Sequence, residues 1–272
     1  MPAIQPDFLK NQSEELVQYF NTPDKFVVKF KNFLEIFADR SRRPGQAGRP
    51  HSKIYSYQVK APVLKQVVKD LIPEVQKDPE TTLELCDQLW EQPNLECRQL
   101  CAYLLGSVRI NSPDQITNRL SQYINKNTEE ILIDLLVSKG LSSFRKEYTQ
   151  EFLKFIDEWI SSDDLFYKKT AIRSLIPLAK EQGITTLPII FNQIQPLVRN
   201  HNIETYTDLS ELIDSLARFS PQETSFFLRR IFNLSDSRDT AMLIRNCLDS
   251  FPPEIQKDLR EDLRKHRTGS FQ

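Results

Sequence analysis

Apolar residues recur along this chain at three- and four-residue spacing, in runs opened again and again by a polar residue and a proline. Thr22-Pro23, Asp78-Pro79, Ser112-Pro113 and Ser220-Pro221 are such openings. Proline suits the first helical position, because its missing N–H has no intrahelical partner there and its φ is already set. Ser, Thr or Asp just before it can accept from the unpaired N–H groups of the first turn. Ser220 through Glu223 also has the Ser-x-x-Glu spacing of a capping box. The pattern predicts helices near 7–20, 23–39, 61–77, 79–91, 94–109, 113–125, 128–140, 143–161, 163–181, 187–200, 203–219, 221–234, 237–250 and 253–267. In the segment 163–181, Leu165, Phe166, Ala171, Ile172, Leu175, Leu178 and Ala179 form one apolar face. Pro177 lies late in it and is expected to kink the helix or end it early.

Short apolar cores repeat along the chain: Tyr103 to Leu105, Ile133 to Leu136, Ile172 to Ile176, and Ile213 to Ala217. The later ones recur at roughly 40 residues, in the range of helix-pair repeats of the HEAT and armadillo type. The expected fold is all-α, a right-handed helical-repeat solenoid (HEAT/armadillo-like) spanning residues 1–272 as a single domain, with a basic flexible loop at about 40–56. An irregular helical bundle is the competing architecture.

Composition narrows the class. The 272 residues are 39% apolar and 27% charged, with 6 glycines, which leaves little turn chemistry for an all-β fold. No apolar run approaches a membrane span, and the N-terminus lacks a basic-then-apolar signal pattern, so no membrane partner and a cytoplasmic location are expected. The cysteines are Cys86, Cys97, Cys101 and Cys247, and none form a Cys-x-x-Cys pair. Cys97 and Cys101 are four apart, but no histidine lies near, so small, partly buried thiols are expected and neither a metal nor another cofactor is implied.

Net charge is −1, yet the distribution is uneven. From Arg40 to Lys69 there is no Asp or Glu, while Arg40, Arg42, Arg43, Arg49, Lys53, Lys60, Lys65 and Lys69 all fall within it. The Gly- and Pro-containing part of this stretch reads as a loop, and a basic loop can track phosphates or simply be a solvated linker. Lys169, Arg173 and Lys180 lie on one helical stripe, with Lys168 beside it. Such a stripe can contact successive phosphates or face solvent. Glu130, Asp134 and Ser138 form a polar stripe on an otherwise apolar helix, which by spacing alone reads as solvent-facing.

Several local patterns together resemble the DNA alkylation repair family, the HEAT-like-repeat alkylpurine DNA glycosylases. Tyr57-Gln58-Val59-Lys60-Ala61-Pro62, followed by Lys65, is similar to the family's aromatic-Gly-Val-x-x-Pro segment, with Gln58 where glycine is usual and Lys65 where arginine is usual. Leu89-Trp90, Glu96, Arg98 and Ala102 to Leu105 resemble its Leu-Trp…Glu-x-Arg helix pair. Asn127 to Leu136, centred on Asp134, resembles the helix bearing the family's catalytic aspartate. Trp159 and Phe166 to Ile172 resemble its Trp…aromatic-x-Arg-Arg-x-Ala-Ile helix.

The resemblance implies excision of purines alkylated at a ring nitrogen. Such a base is cationic and its glycosidic bond is weak. A carboxylate beside the sugar can stabilise the oxocarbenium-like species that forms as the base leaves. The family lines that cleft with tryptophans, whose faces attract a cationic centre. By position, Asp134 is the candidate catalytic carboxylate. Arg40, Arg42, Arg43, Lys53, Lys168, Lys169 and Arg173 are candidate DNA contacts. The position one turn before Asp134 is Glu130, and the second cleft tryptophan aligns at Asp214. The chain's two tryptophans, Trp90 and Trp159, match structural positions instead. The expected function is therefore binding of duplex DNA on a concave face, with excision weak or lost. A non-catalytic protein-interaction scaffold is the alternative, and an active alkylpurine glycosylase with a carboxylate-lined cleft is the third reading.

Overall fold

A computed structural model describes residues 5–39, 54–180, 185–235 and 238–269. These are helical almost throughout. The one β pairing among them is an isolated parallel bridge between Tyr55 and Asn94. None of the described helices is long and apolar enough to cross a membrane. The contacts divide the chain into two compact units, Met1–Thr149 and Gln150–Gln272.

In the first unit the helices are α1 (Pro6–Val17), α2 (Pro23–Phe37), α3 (Ala61–Lys77), α4 (Pro79–Trp90), α5 (Leu95–Leu105), α6 (Asp114–Tyr123), α7 (Glu130–Leu135) and α8 (Ser142–Glu147), with a π turn over Leu136–Gly140. α1 packs on α3, α3 on α5 and α5 on α7, while α2 packs on α4. Alternate helices thus lie side by side in two layers, joined most extensively by α4 against α5. Phe20, Phe26, Phe30, Leu71, Leu85 and Leu104 are among the fully buried side chains.

In the second unit the helices are α9 (Thr149–Ser161, its first residue at the division), α10 (Leu165–Ala179), α11 (Leu187–Arg199), α12 (Tyr206–Phe219), α13 (Pro221–Ser235), α14 (Arg238–Cys247) and α15 (Pro253–Gly269). A 3-10 turn over Leu248–Ser250 follows α14. α10 packs on α12 and α12 on α14, while α11 packs on α13 and α13 on α15. The same alternation holds, and in each unit it follows from helices that carry one broad apolar face and are mostly joined by short connections, the long one being 38–60 between α2 and α3.

Most predicted starts hold. Pro23, Pro79 and Pro221 open their helices, and the Asp78 carboxylate accepts from the Thr81 N–H at 3.1 Å. Thr22 opens α2 without a side-chain cap bond. α10 runs through Pro177 and stops at Ala179. Two predicted helices differ. The one expected over 143–161 breaks at Tyr148, whose φ of −131° leaves the helix and whose hydroxyl donates to the Ile110 carbonyl at 3.1 Å. The one expected over 128–140 is α-helical only to Leu135. The π turn then closes with Leu141 N–H on the Leu136 carbonyl at 2.9 Å. Gly106 explains this. A Cβ at Gly106 would lie 1.9 Å from the Lys139 carbonyl oxygen, so the end of α5 and the π turn meet backbone to backbone.

Candidate nucleic-acid interface

α7 carries the candidate carboxylates of the first unit. Glu130 is its first residue and Asp134 lies one turn on; both are exposed, and Ser138 is half-buried in the π turn beyond. α7 is held from beneath by Leu132 and Ile133, which are buried, and by the π turn locked on Gly106. The stripe read from the sequence is thus a real face that points to solvent, and it presents negative charge.

Beside α7 runs the segment 54–60, extended and leading into α3. Its first amide, Ile54 N–H, donates to the Glu129 carboxylate at 2.8 Å, and Glu129 is the residue that precedes α7. The Tyr55 carbonyl accepts from Leu95 N–H at 2.8 Å, at the start of α5. Ser56 donates its hydroxyl to Glu96 at 2.7 Å and accepts from Gln58 N–H at 3.0 Å. Gln58 has φ of +57°, the left-handed conformation that favours glycine, at the position where the family motif has glycine. The backbone shape of that motif is therefore kept without its usual residue. Sequence reasoning did not single out Glu129 or Glu96 as anchors; only the matched motif around Gln58 signalled this segment.

α10 carries the basic residues of the second unit. Asp164 caps it, its carboxylate accepting from Phe166 N–H at 3.1 Å. Lys168 and Lys169 are half-buried. Arg173 donates from Nε to the buried Asp208 of α12 at 2.9 Å. Lys180 and Glu211 make an exposed pair at 3.9 Å. The stripe is therefore partly neutralised by α12. Asp214, also on α12, is half-buried and accepts from the Ser250 hydroxyl at 2.7 Å. It faces Cys247, whose thiol is pushed up by burial and by the nearby Asp214 charge.

Both indoles are occupied in packing. Trp159 is 8% exposed and lies between Phe155, at 4.5 Å, and Tyr167, at 6.0 Å. Trp90 stacks on Tyr123 at 4.4 Å, and the Arg98 guanidinium sits 5.5 Å from its ring centre. Arg98 Nε also donates to the Trp90 and Gln92 carbonyls at 3.0 Å each. Tyr123 in turn donates to Asp87 at 2.5 Å, and Asp87 makes a bidentate pair with Arg119 at 2.7 and 2.9 Å. This network lines an open surface pocket of about 430 Å³ between α4 and α6. The matched Trp90 and Arg98 are structural partners of each other.

The cysteines are all buried and free. Burial pushes the Cys97 thiol up to about 12, and burial beside Cys86 holds Cys101 well above its ordinary value. Cys97 and Cys101 are therefore thiols, not thiolates, at neutral pH. Among the described residues no cluster of three or more His, Cys, Asp or Glu side chains is arranged to hold a metal. Arg40, Arg42, Arg43 and Lys53, with the basic loop they belong to, lie outside the described residues.

The described residues are helical apart from short connections and one isolated bridge, the all-α fold class that the resemblance implied. The family model for the DNA alkylation repair enzyme matches residues 33–245. The chain belongs to that family. A search of curated proteins gave no significant match.

Proposed function

We propose that this chain binds duplex DNA and has weak or no excision activity toward alkylated purines. The observation that carries the reading is the fate of the aromatic cleft. Both tryptophans are packed between neighbouring side chains, and carboxylates stand at the two positions where the family's cleft has tryptophan. Asp134 lies on an exposed face and, as the residue that the resemblance aligns with the catalytic aspartate, can oppose a cationic sugar through its charge. It does so without flanking indoles, and Glu130 beside it repels the phosphates that flank any lesion. Lys168 and Lys169 supply phosphate contacts as point charges, without the bidentate fork of arginine. The side-by-side packing of alternate helices in each unit supports a HEAT-like repeat, and we read its hand as right-handed by family resemblance.

The scaffold reading has one observation in its favour, the Arg173–Asp208 pair, which neutralises part of the basic stripe within the protein. A titration of fluorescent duplex by anisotropy at two salt concentrations separates the two. DNA binding should weaken steeply with salt, and Lys169→Glu should weaken it for all sequences alike. No binding at low salt hands the case to the scaffold. Release of 7-methylguanine from methylated duplex should be slow, and any release should vanish in Asp134→Asn. Brisk release that survives this substitution overturns the assignment of Asp134.

A further inference from the structure

We infer that Tyr55 is a stacking platform for an unstacked nucleobase, one exposed at a bulge, mismatch or lesion. The inference rests on the duplex-DNA reading and adds a residue that neither the motif match nor the charge pattern indicated.

Tyr55 is 62% exposed, at the N-terminal ends of α5 and α7. A lone exposed aromatic residue is ordinary. The way this one is held is not. Its backbone is fixed on both sides: Ile54 N–H on Glu129, the Tyr55 carbonyl on Leu95 N–H, and Ser56 on Glu96. Tyr57 follows, its carbonyl accepting from Asp39 N–H at 3.2 Å, before the left-handed turn at Gln58. Glu96 is 2% exposed, and its second oxygen, Oε2, has no hydrogen-bond partner among the described residues. Burying a carboxylate so incompletely satisfied is unfavourable, and what it secures is the position of this segment. The Tyr55 ring is steadied edge-to-face by Tyr57, with centroids 5.0 Å apart and planes at 78°. The result is a solvent-facing aromatic ring carried on a backbone that is fixed before binding, so less ordering is left to complete when a ligand stacks on it.

Its surroundings select the ligand. Glu129, whose carboxylate holds the Ile54 amide, and Glu130 open α7, with Asp134 one turn beyond. Ile131, in the first turn of α7, is 52% exposed. A neutral aromatic face offers a base a stacking surface and offers the phosphate backbone no charge. Stacking is open to every base and needs only that the base has left the helix.

The test uses the full chain with Tyr55→Ala and Tyr55→Phe. The probes are a fully paired duplex and the same duplex with one bulged 2-aminopurine, at low salt. The native protein and Tyr55→Phe should bind the bulged duplex with nearly equal affinity and quench its fluorescence. Tyr55→Ala should lose at least about fivefold in affinity for the bulge and lose the quenching, while its affinity for the paired duplex stays native. Equal behaviour of native protein and Tyr55→Ala on the bulge overturns the inference and leaves the DNA reading standing. Binding to neither duplex overturns both. Quenching by native protein and Tyr55→Phe keeps the inference testable if Tyr55→Ala does not fold.

Discussion

Gly106→Ala should be the most damaging small substitution near the candidate site. The new methyl carbon would stand 1.9 Å from the Lys139 carbonyl oxygen and 2.8 Å from its carbon. A close C–H···O approach normally holds these atoms roughly 3.3 Å apart. One backbone must therefore move by more than 1 Å, about the difference between the two distances. Neither can move easily. Gly106 is the half-buried C-cap of α5, and its carbonyl accepts from the Ser143 hydroxyl at 2.8 Å. Lys139 belongs to the π turn, whose carbonyl at Val137 accepts from the buried Arg145 at 3.5 Å. Overpacking that side chains can absorb costs about 1–3 kcal/mol; a backbone clash belongs at the upper end. A loss of about 3 kcal/mol corresponds to a melting point lower by roughly 6–12 °C for a protein of this size class. Circular dichroism melts and urea midpoints measure it. Gly140→Ala is the control. Its nearest neighbour is a flexible Leu136 methyl at 3.1 Å, so it should change stability by less than about 1 kcal/mol. Gly106→Ala melting within about 1 °C of the native protein would refute the backbone contact.

Gln58→Gly should stabilise the protein. A non-glycine residue in the left-handed region carries about 1–2 kcal/mol of strain, and glycine returns about 0.5–1 kcal/mol of it as chain entropy in the unfolded state. The net gain of about 0.5–1 kcal/mol is read from urea midpoints, and a Gln58→Gly variant less stable than the native protein would contradict the assigned conformation. Asp78→Ala should cost about 1 kcal/mol at neutral pH, the ordinary value of an N-cap. Hydrogen bonds from Thr81 hold the Asp78 carboxyl below its usual value. A depressed carboxylate contributes fully above its unfolded pKa, so the gap between native and variant should close as pH falls through the folded value. A gap that persists unchanged at pH 2 would contradict the cap.

The helices were legible because their signals are local. α3 is predicted at 61–77 and observed at Ala61–Lys77, since Pro62 sets its start and Asp78 caps the helix that follows. The break at Tyr148 was not legible. Phe144, Tyr148, Phe152, Phe155 and Trp159 keep helical spacing straight through it, and the departure comes from a hydroxyl reaching Ile110, far back in the sequence. The π turn likewise depends on Gly106, which the pattern of 128–140 does not contain. At the candidate site, the exposed stripe of Glu130 and Asp134 was readable from its spacing. The partner of Arg173 was not, because Asp208 lies on another helix and nothing near Arg173 announces it.

The two positions that the resemblance aligns with cleft tryptophans, Glu130 and Asp214, are not equivalent, and on the proposed reading this decides how excision should be raised. Glu130 is exposed in the first turn of α7, so Glu130→Trp places its indole in solvent beside Asp134 and should leave stability near native. Asp214 is half-buried, bonded to Ser250 at 2.7 Å and set against Cys247. An indole there must displace the 3-10 turn that closes α14, at about 1–3 kcal/mol of overpacking together with the lost hydrogen bond. Glu130→Trp is therefore the interpretable variant. It removes a charge that repels phosphate and adds a cation–π face worth about 0.5–2 kcal/mol, so release of 7-methylguanine should rise about two- to thirtyfold. That gain should disappear when Asp134→Asn is added, because the indole assists the carboxylate and does not replace it. Asp214→Trp should lower the melting point and raise excision little. An Asp214→Trp protein as stable as the native chain would show that position 214 is not tied to the turn, and a gain that survives Asp134→Asn would remove the carboxylate from the chemistry.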